Sequence, residues 1–288
     1  MKWTIAEILK EAASELDSAG VPDARREAGS LLSFILGKDR TFLISHAEDE
    51  TDEKSFVRLR EFVERRAAGE PFQYITGVQD FYGREFRVTP DVLIPRPETE
   101  LLVEAALQKV GDTAPLICDV GTGSGCIAVT LLCELVNARA VAIDKSPAAL
   151  AIAKINAQKH SVAERTLFVA SDCFNLLDLR DYEFDLIVSN PPYVAEAAFE
   201  GLQREVRDHE PLIALSPGGD GLTVIRRLID ESPAFIKPNG HLLMEIGFDQ
   251  GEAVERLVKE SAWTLREIRP DLQGIPRIVL LQMVLQKT

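Results

Sequence analysis

The chain has no continuous apolar run near the ~20 residues that a membrane-crossing helix needs. It is also poor in cysteine, histidine, methionine and tryptophan, with four, four, three and two residues in 288. The cysteines, at 118, 126, 133 and 173, fall in expected strand, helix and strand-end positions without C-x-x-C spacing. They read as reduced, mostly buried thiols, which argues against a disulfide frame. The histidines at 46, 160, 209 and 241 have no partner at metal-ligand spacing, so no metal is expected. Basic charge is scarce as well: 32 Lys and Arg against 46 Asp and Glu leave a net charge of −14. That balance opposes tight binding to a phosphate backbone, which needs clustered cations. Neither direct nucleic-acid binding nor a membrane is expected, and the direct partner reads as protein. An acidic surface can steer a basic partner into encounter, or serve solubility alone. The run Glu48-Asp49-Glu50-Thr51-Asp52-Glu53 reads as a solvated loop and helix start.

With 46% hydrophobic residues, the chain can bury sizeable cores, and its length suggests about two domains. Thr4-x-x-Glu7 is a capping box that opens a helix with the stripe Ile5, Ile8, Leu9, Ala12 and Leu16. Such a start is unlike a signal peptide, and a soluble, cytoplasmic protein is expected. A second helix runs from Pro22-Asp23 through Leu36 to Gly37. A later one, striped by Phe56, Leu59, Val63 and Ala67, stops at Gly69 and Pro71. A helical domain is therefore expected over residues 1–75 and a hairpin linker over 76–92, turning at Gly83. The remaining chain, 93–288, is expected to hold a catalytic α/β domain, an open sheet in which strands alternate with helices. Its late strands are expected at Leu265 to Ile268 and Arg277 to Leu285.

Within that half, the buried-type strand Leu116-Ile117-Cys118-Asp119-Val120 leads into Gly121-Thr122-Gly123-Ser124-Gly125 and then an apolar helix. Glycines permit positive φ and a close approach of ligand to backbone, and free N–H groups at the helix start suit an anion. A dinucleotide fingerprint wants G-x-G-x-x-G, but Cys126 stands at its last glycine, and the G-x-G-x-G spacing fits S-adenosylmethionine better than NAD. Asp144 ends the next strand, where a carboxylate can accept from both ribose hydroxyls, or simply lead the helix capped by Ser146 and Pro147. After the third strand come Asp172, Cys173 and Phe174. There an acid can take the adenine amino group and an aromatic can face the ring, although Phe174 fits a core position equally well.

Asn190-Pro191-Pro192-Tyr193 follows the apolar strand ending at Ser189. The prolines stiffen the backbone and offer carbonyls with no N–H of their own. A carboxamide NH₂ has two protons to donate; the Asn190 side-chain oxygen and a backbone carbonyl, that of Pro191, can accept both. Tyr193 would stack on the amide plane. Asn190, Pro191 and Tyr193 are thus the candidate catalytic residues. Together with Pro192 they form the candidate substrate site, and Asn190 also borders the cofactor. Methylation of a planar nitrogen is the chemistry such a tetrapeptide serves. The irregular stretch from Tyr193 to Gly221 reads as a candidate lid or substrate-binding loop, or as a helix-containing surface insertion.

These motifs, with Ile94-Pro95-Arg96-Pro97-Glu98-Thr99-Glu100 and Pro71-Phe72-Gln73-Tyr74-Ile75-Thr76-Gly77 upstream, resemble the peptide chain release factor N5-glutamine methyltransferases. His209-Glu210-Pro211 and Gly218-Gly219-Asp220-Gly221 downstream extend the resemblance over nearly the whole chain. The resemblance implies a Rossmann-like class I S-adenosylmethionine-dependent fold of seven strands, the last antiparallel. It implies N5-methylation of the glutamine in the Gly-Gly-Gln loop of release factors, with S-adenosylmethionine as cofactor, and substrate recognition by the helical domain; a monomer is expected. Cys173 stands where many members carry an aromatic. Two other classes fit parts of the pattern. A DNA amino-methyltransferase would also grip a planar amino group but wants a basic surface. A non-catalytic S-adenosylmethionine-binding assembly factor would need the glycine loop and not the tetrapeptide.

Overall fold

The computed structural model describes residues 3–111, 114–175 and 182–284. One unit comprises the chain up to Gly77 together with Gln203–His209; the other comprises Val78–Leu202 and the chain from Glu210 on.

The first unit holds β1 (Trp3–Thr4), α1 (Ile5–Ser18), α2 (Ala24–Leu36), α3 (Arg40–Ser45), β2 (Glu50–Thr51), α4 (Glu53–Ala67) and α5 (Phe72–Thr76). The Thr4 hydroxyl accepts from the Glu7 N–H at 3.2 Å while its own N–H donates to the Glu7 carboxylate at 2.9 Å, so α1 starts where its first free donors are satisfied. Ile5, Ile8, Ala12 and Leu16 share one helical face and pack with Leu31 and Leu32 of α2 and Leu59 and Val63 of α4. The short α3 carries too few apolar repeats to show in the pattern; its signal is the cap at Asp39, which accepts from the Phe42 N–H at 2.8 Å. Arg66 is buried on α4, and its guanidinium donates to Glu27 at 2.9 Å and to Glu205 at 2.6 Å. A buried cation without partners would be strongly destabilising, so the two carboxylates are what permit it.

The second unit opens with the hairpin β3 (Val78–Phe81) and β4 (Arg84–Arg87), followed by α6 (Glu100–Val110). The sheet and its crossovers follow: β5 (Leu116–Val120), α7 (Cys126–Glu134), β6 (Arg139–Asp144), α8 (Pro147–Lys159), β7 (Thr166–Ala170) and β8 (Phe184–Ser189). After β8 the chain contributes α9 (Arg204–His209) to the helical unit, then returns with α10 (Leu212–Leu215) and α11 (Thr223–Glu231). It ends with β9 (Ile236–Glu245), α12 (Gly251–Lys259), β10 (Trp263–Pro270) and β11 (Pro276–Met283). Leu285, the expected end of the last strand, lies outside the described residues.

The sheet order is β10-β11-β9-β8-β5-β6-β7. Strand β11 pairs antiparallel with both neighbours, whereas the pairs among β9, β8, β5, β6 and β7 are parallel. Helices cover both faces, which is why the strands read as nearly continuous apolar runs. Along β5, Ile117 enters one core layer with Leu131 and Leu132 of α7, while Cys118 and Val120 enter the other with Ile225 and Leu228 of α11. Successive strands run outward from β5 through β6 to β7, and the chain then crosses to the opposite side as β8. That reversal leaves a crevice beyond the carboxyl ends of β5 and β8, the position where open α/β sheets hold ligands.

Candidate active site

A cavity of about 360 Å³ occupies that crevice, and Gly123, Asp144, Asp172, Asn190 and Pro191 are among the residues that line it. Its floor is the glycine loop. The Gly121 and Thr122 N–H groups donate to the Ile143 carbonyl at 2.8 and 2.9 Å, pinning the loop to β6. Gly121, Gly123 and Gly125 all have positive φ, at 75°, 54° and 80°. Their reasons differ. A Cβ at Gly121 would meet nothing within 4 Å, which leaves the space above the loop open to a ligand. One at Gly125 would lie 3.1 Å from the Ala153 Cβ, so that glycine lets α7 pack on α8.

Asp119 lies wholly buried beneath the loop, with one carboxylate oxygen accepting from the Thr122 hydroxyl at 2.7 Å and the Ala128 N–H at 3.2 Å. Its other oxygen has no partner among the described residues, and burial pushes its pKa up to about 7. Asn156 braces the loop from α8, accepting from the Arg87 N–H at 2.8 Å and donating to the Ser124 carbonyl at 2.8 Å. Asp144 presents a carboxylate whose oxygens accept from the Gly123 and Ser146 N–H groups, both at 2.8 Å. Burial raises its pKa, against those backbone donors. A carboxylate has about four acceptor directions, so Asp144 keeps capacity for a ligand's hydroxyls.

On the next wall, Asp172 is paired with Arg227 at 2.5 Å and Lys145 at 3.0 Å; the Lys145 hydrogen bond is the chief cause of its lowered pKa. Cys173 lines the cavity in a left-handed conformation with φ of 51°, and burial pushes its thiol up to about 11. Phe174 stacks on Phe235 with ring centroids 4.9 Å apart, inside the core between sheet and helices. Of these three expected cofactor residues, the cavity thus brings Asp172 and Cys173 to its surface. The buried Ser171 hydroxyl, also on the lining, has no partner among the described residues.

At the end of β8 the Ser189 hydroxyl donates to the Val120 carbonyl at 2.7 Å, locking the tetrapeptide to β5. The Asn190 amide nitrogen donates to the Thr99 hydroxyl at 3.0 Å, and Pro191 and Pro192 line the cavity beside it. The Tyr193 hydroxyl donates to the buried Glu245 at 3.2 Å, and burial and then Glu245 push its pKa well above the ordinary value. The Tyr193 carbonyl accepts from Gln250 at 2.9 Å. It also passes so near Gly221 that a Cβ there would lie 2.3 Å from it, which explains the glycine at the end of the Gly218-Gly219-Asp220-Gly221 run. The expected lid is not a bare loop. Ile213, Ala214, Ser216 and Pro217 form cavity wall, and the Val194 N–H donates to the Leu215 carbonyl at 2.9 Å. Upstream, Arg96 and Glu210 form an ion pair at 2.5 Å that joins two separate sequence motifs.

Thr99, Arg227, Glu245 and Gln250 escape a sequence reading. Thr99 sits in a run that reads as a helix start, and Glu245 is an acid at the end of the apolar Leu242-Leu243-Met244; that buried-strand context was its available signal. Among the described residues no group of three or more His, Cys, Asp or Glu side chains is placed to hold a metal ion, and no helix is long and apolar enough to cross a membrane.

Sheet order, glycine loop and crevice together define a protein of the methyltransferase fold. Solved structures agree: a methyltransferase from Pyrococcus furiosus superposes with a TM-score of 0.53 at 13% identity, covering 80% of this chain and 99% of that one. Residues 97–234 match the model of the methyltransferase small domain, and residues 7–77 match that of the PrmC N-terminal domain. The chain is 42% identical over 278 residues to the release factor glutamine methyltransferase of Koribacter versatilis, covering 96% of this chain and 98% of that protein. It is 44% identical over 274 residues to the one from Cereibacter sphaeroides, with 95% and 96% covered. The chain belongs to the release factor glutamine methyltransferase family.

Proposed function

We propose that this protein transfers the methyl group of S-adenosylmethionine to the side-chain nitrogen (N5) of the glutamine in the Gly-Gly-Gln motif of peptide chain release factors. One observation carries the reading: the Asn190 NH₂ is engaged by Thr99, which leaves Oδ1, with the neighbouring Pro191 carbonyl, to accept from a ligand's NH₂. A carboxamide lone pair is delocalised into its carbonyl, so the main help a protein can give is to aim the nitrogen. Two acceptors on a proline-stiffened backbone do that, and Pro192 and Tyr193 complete the candidate substrate site.

The residues of the cavity fit the cofactor. Open space over Gly121, the spare acceptor capacity of Asp144 and the unpartnered Ser171 hydroxyl are what an adenosine with an attached carboxylate would use. Bound there, S-adenosylmethionine would supply an electrophilic methyl on a good leaving group. The Thr122, Gly123 and Gly125 N–H groups are engaged by the Ile143 carbonyl, the Asp144 carboxylate and the Thr122 carbonyl and so shape the loop, leaving the Ser124 N–H at the start of α7 for the cofactor's carboxylate. Asp144 accepts from ribose hydroxyls. Asp172, held ionised by Lys145 and Arg227, and Cys173 border the place for adenine. The glutamine nitrogen sheds one proton as, or after, the new N–C bond forms.

We assign substrate recognition to the helical region, residues 1–75, with 76–92 as linker and 93–288 as catalytic domain, acting as a cytoplasmic monomer without direct nucleic-acid contact. The names of the relatives support the substrate. Incubation with methyl-labelled cofactor and purified release factors, followed by mass spectrometry of the Gly-Gly-Gln peptide, tests the reading: label on the glutamine is expected. Label on DNA alone, or cofactor binding without any turnover, would overturn it.

A further inference from the structure

We propose that Thr99 and Glu245 form a positioning relay that holds the Asn190 amide with its oxygen toward the acceptor nitrogen and, through Tyr193, anchors the far end of the same tetrapeptide. The inference rests on the function proposed above and adds to it the groups that set the orientation of the aiming residue.

An Asn side chain has two nearly isosteric orientations, and the wrong one would present donors to a substrate NH₂ that also donates. Something must choose between them. Glu245 is 1% exposed, and one of its oxygens accepts from the Thr99 hydroxyl at 2.7 Å. A carboxylate has no proton to give, so the single Thr99 proton is committed to it, and toward Asn190 the Thr99 oxygen can only accept. At 3.0 Å the Asn190 NH₂ fills that role. Rotating the amide would bring two oxygens together with no proton between them. The second Glu245 oxygen accepts from the Tyr193 hydroxyl at 3.2 Å, so one buried carboxylate ties down residues at both ends of the tetrapeptide. Thr99 is itself buried and enters from the turn before α6, while Glu245 ends β9; neither needs to touch the ligand to act.

The relay depends on charge. If Glu245 took up a proton it could donate to Thr99, whose own proton would then be free to turn toward Asn190, and the choice of orientation would be lost. Burial raises the Glu245 pKa; Thr99, Tyr193 and Arg277 of β11 oppose that shift, and Glu98 adds to it. Cys126, at the start of α7, also lies within reach of its charge, but its thiol is pushed up to about 12 and stays neutral. The relay is therefore intact above the raised pKa and lost as pH falls through it.

Thr99→Val keeps the shape and removes the hydroxyl, and Thr99→Ser restores the hydroxyl. With release factor and saturating cofactor, we expect single-turnover methylation to slow ~10²-fold in Thr99→Val, as for a misaimed reacting group. Thr99→Ser should recover most of the rate, with cofactor affinity unchanged in both. Glu245→Gln should flatten the acid limb of the wild-type rate profile. Independently of activity, the Asn190 side-chain NH₂ signal in NMR, identified by its absence in Asn190→Asp, should show one proton protected from solvent exchange in wild type and in Thr99→Ser. That protection should be absent in Thr99→Val. Equal rates in Thr99→Val and wild type, or amide protection unchanged in Thr99→Val, would overturn the relay. Wild-type protein that leaves the release factor unlabelled would instead sink the functional reading, with the NMR arm still deciding the relay.

Discussion

Gly221→Ala offers a sharp test of how the tetrapeptide is held. Gly221 has φ of 78°, and an added Cβ would lie 2.3 Å from the Tyr193 carbonyl oxygen and 3.0 Å from both the Ala195 nitrogen and the Gln250 amide nitrogen. Two of those atoms are backbone and cannot rotate away. Left-handed strain costs an alanine about 1–2 kcal/mol, and overpacking of this kind adds about 1–3 kcal/mol, so roughly 2–5 kcal/mol of destabilisation is expected. Gly219 is the matched control: its φ is 57°, yet a Cβ there meets nothing within 4 Å, so Gly219→Ala should bear the strain alone. Thermal melts should place Gly221→Ala below Gly219→Ala by a few degrees per kcal/mol of difference. Function should separate them further. Pushing the Tyr193 carbonyl displaces the backbone that carries Asn190 and Pro191, and a shift on the order of 1 Å can cost ~10² in rate. Single-turnover methylation at saturating cofactor measures this directly. If Gly221→Ala matched Gly219→Ala in both melting temperature and rate, the argument that this close approach positions the tetrapeptide would fail.

Asn190→Ala should lower the methylation rate by ~10² or more while changing cofactor affinity little, and Asn190→Asp, which keeps an acceptor, should retain partial activity; wild-type turnover by the alanine variant would remove the aiming role. Asp144→Ala takes away charge-assisted acceptors worth about 1.5–3 kcal/mol, so calorimetry should record a roughly tenfold to hundredfold weaker affinity for S-adenosylmethionine, and an unchanged affinity would reduce the residue to a brace for Gly123 and Ser146. Asp119 has a folded pKa of about 7, above its ordinary 3.8, so the stability it contributes is fully present below the unfolded value and is lost as pH rises through about 7. Asp119→Asn can keep the Thr122 and Ala128 contacts through its oxygen. It should remove that part of the pH dependence, up to roughly 4 kcal/mol, and denaturant titrations from pH 4 to 8 with parallel slopes for variant and wild type would contradict the buried-charge account.

The open α/β sheet, the glycine loop, Asp144 at a strand end and the Asn-Pro-Pro-Tyr tetrapeptide were all legible along the chain, because each rests on local chemistry. Positive φ calls for glycine, a proline removes a donor and fixes a torsion, and a strand buried on both faces reads as an apolar run. The capping box at Thr4 is likewise complete within four residues and appears with both of its hydrogen bonds. Periodicity does not reveal strand direction. That the last strand runs antiparallel had to come from family resemblance, since an apolar strand presents the same pattern whichever way it runs, and its insertion between β9 and β10 emerged only in the folded sheet.

Long-range pairing was decided by the tertiary structure alone. Phe174 was an aromatic that could face either adenine or the core, and only the packed arrangement sets it on Phe235. Gln203–His209 lies within the stretch that matches the methyltransferase small domain, yet it packs with the helical unit, where Glu205 meets the buried Arg66. Thr99 and Glu245 are 146 positions apart, and Thr99 and Asn190 are 91 apart. A buried polar group must find a partner, but its own neighbours in sequence do not say which one. The sequence therefore determined which chemistries this chain can perform, through groups whose geometry is set within a few residues. The fold decided which distant donor meets which acceptor, because that depends on how separate strands and turns are brought together in a space from which water is excluded.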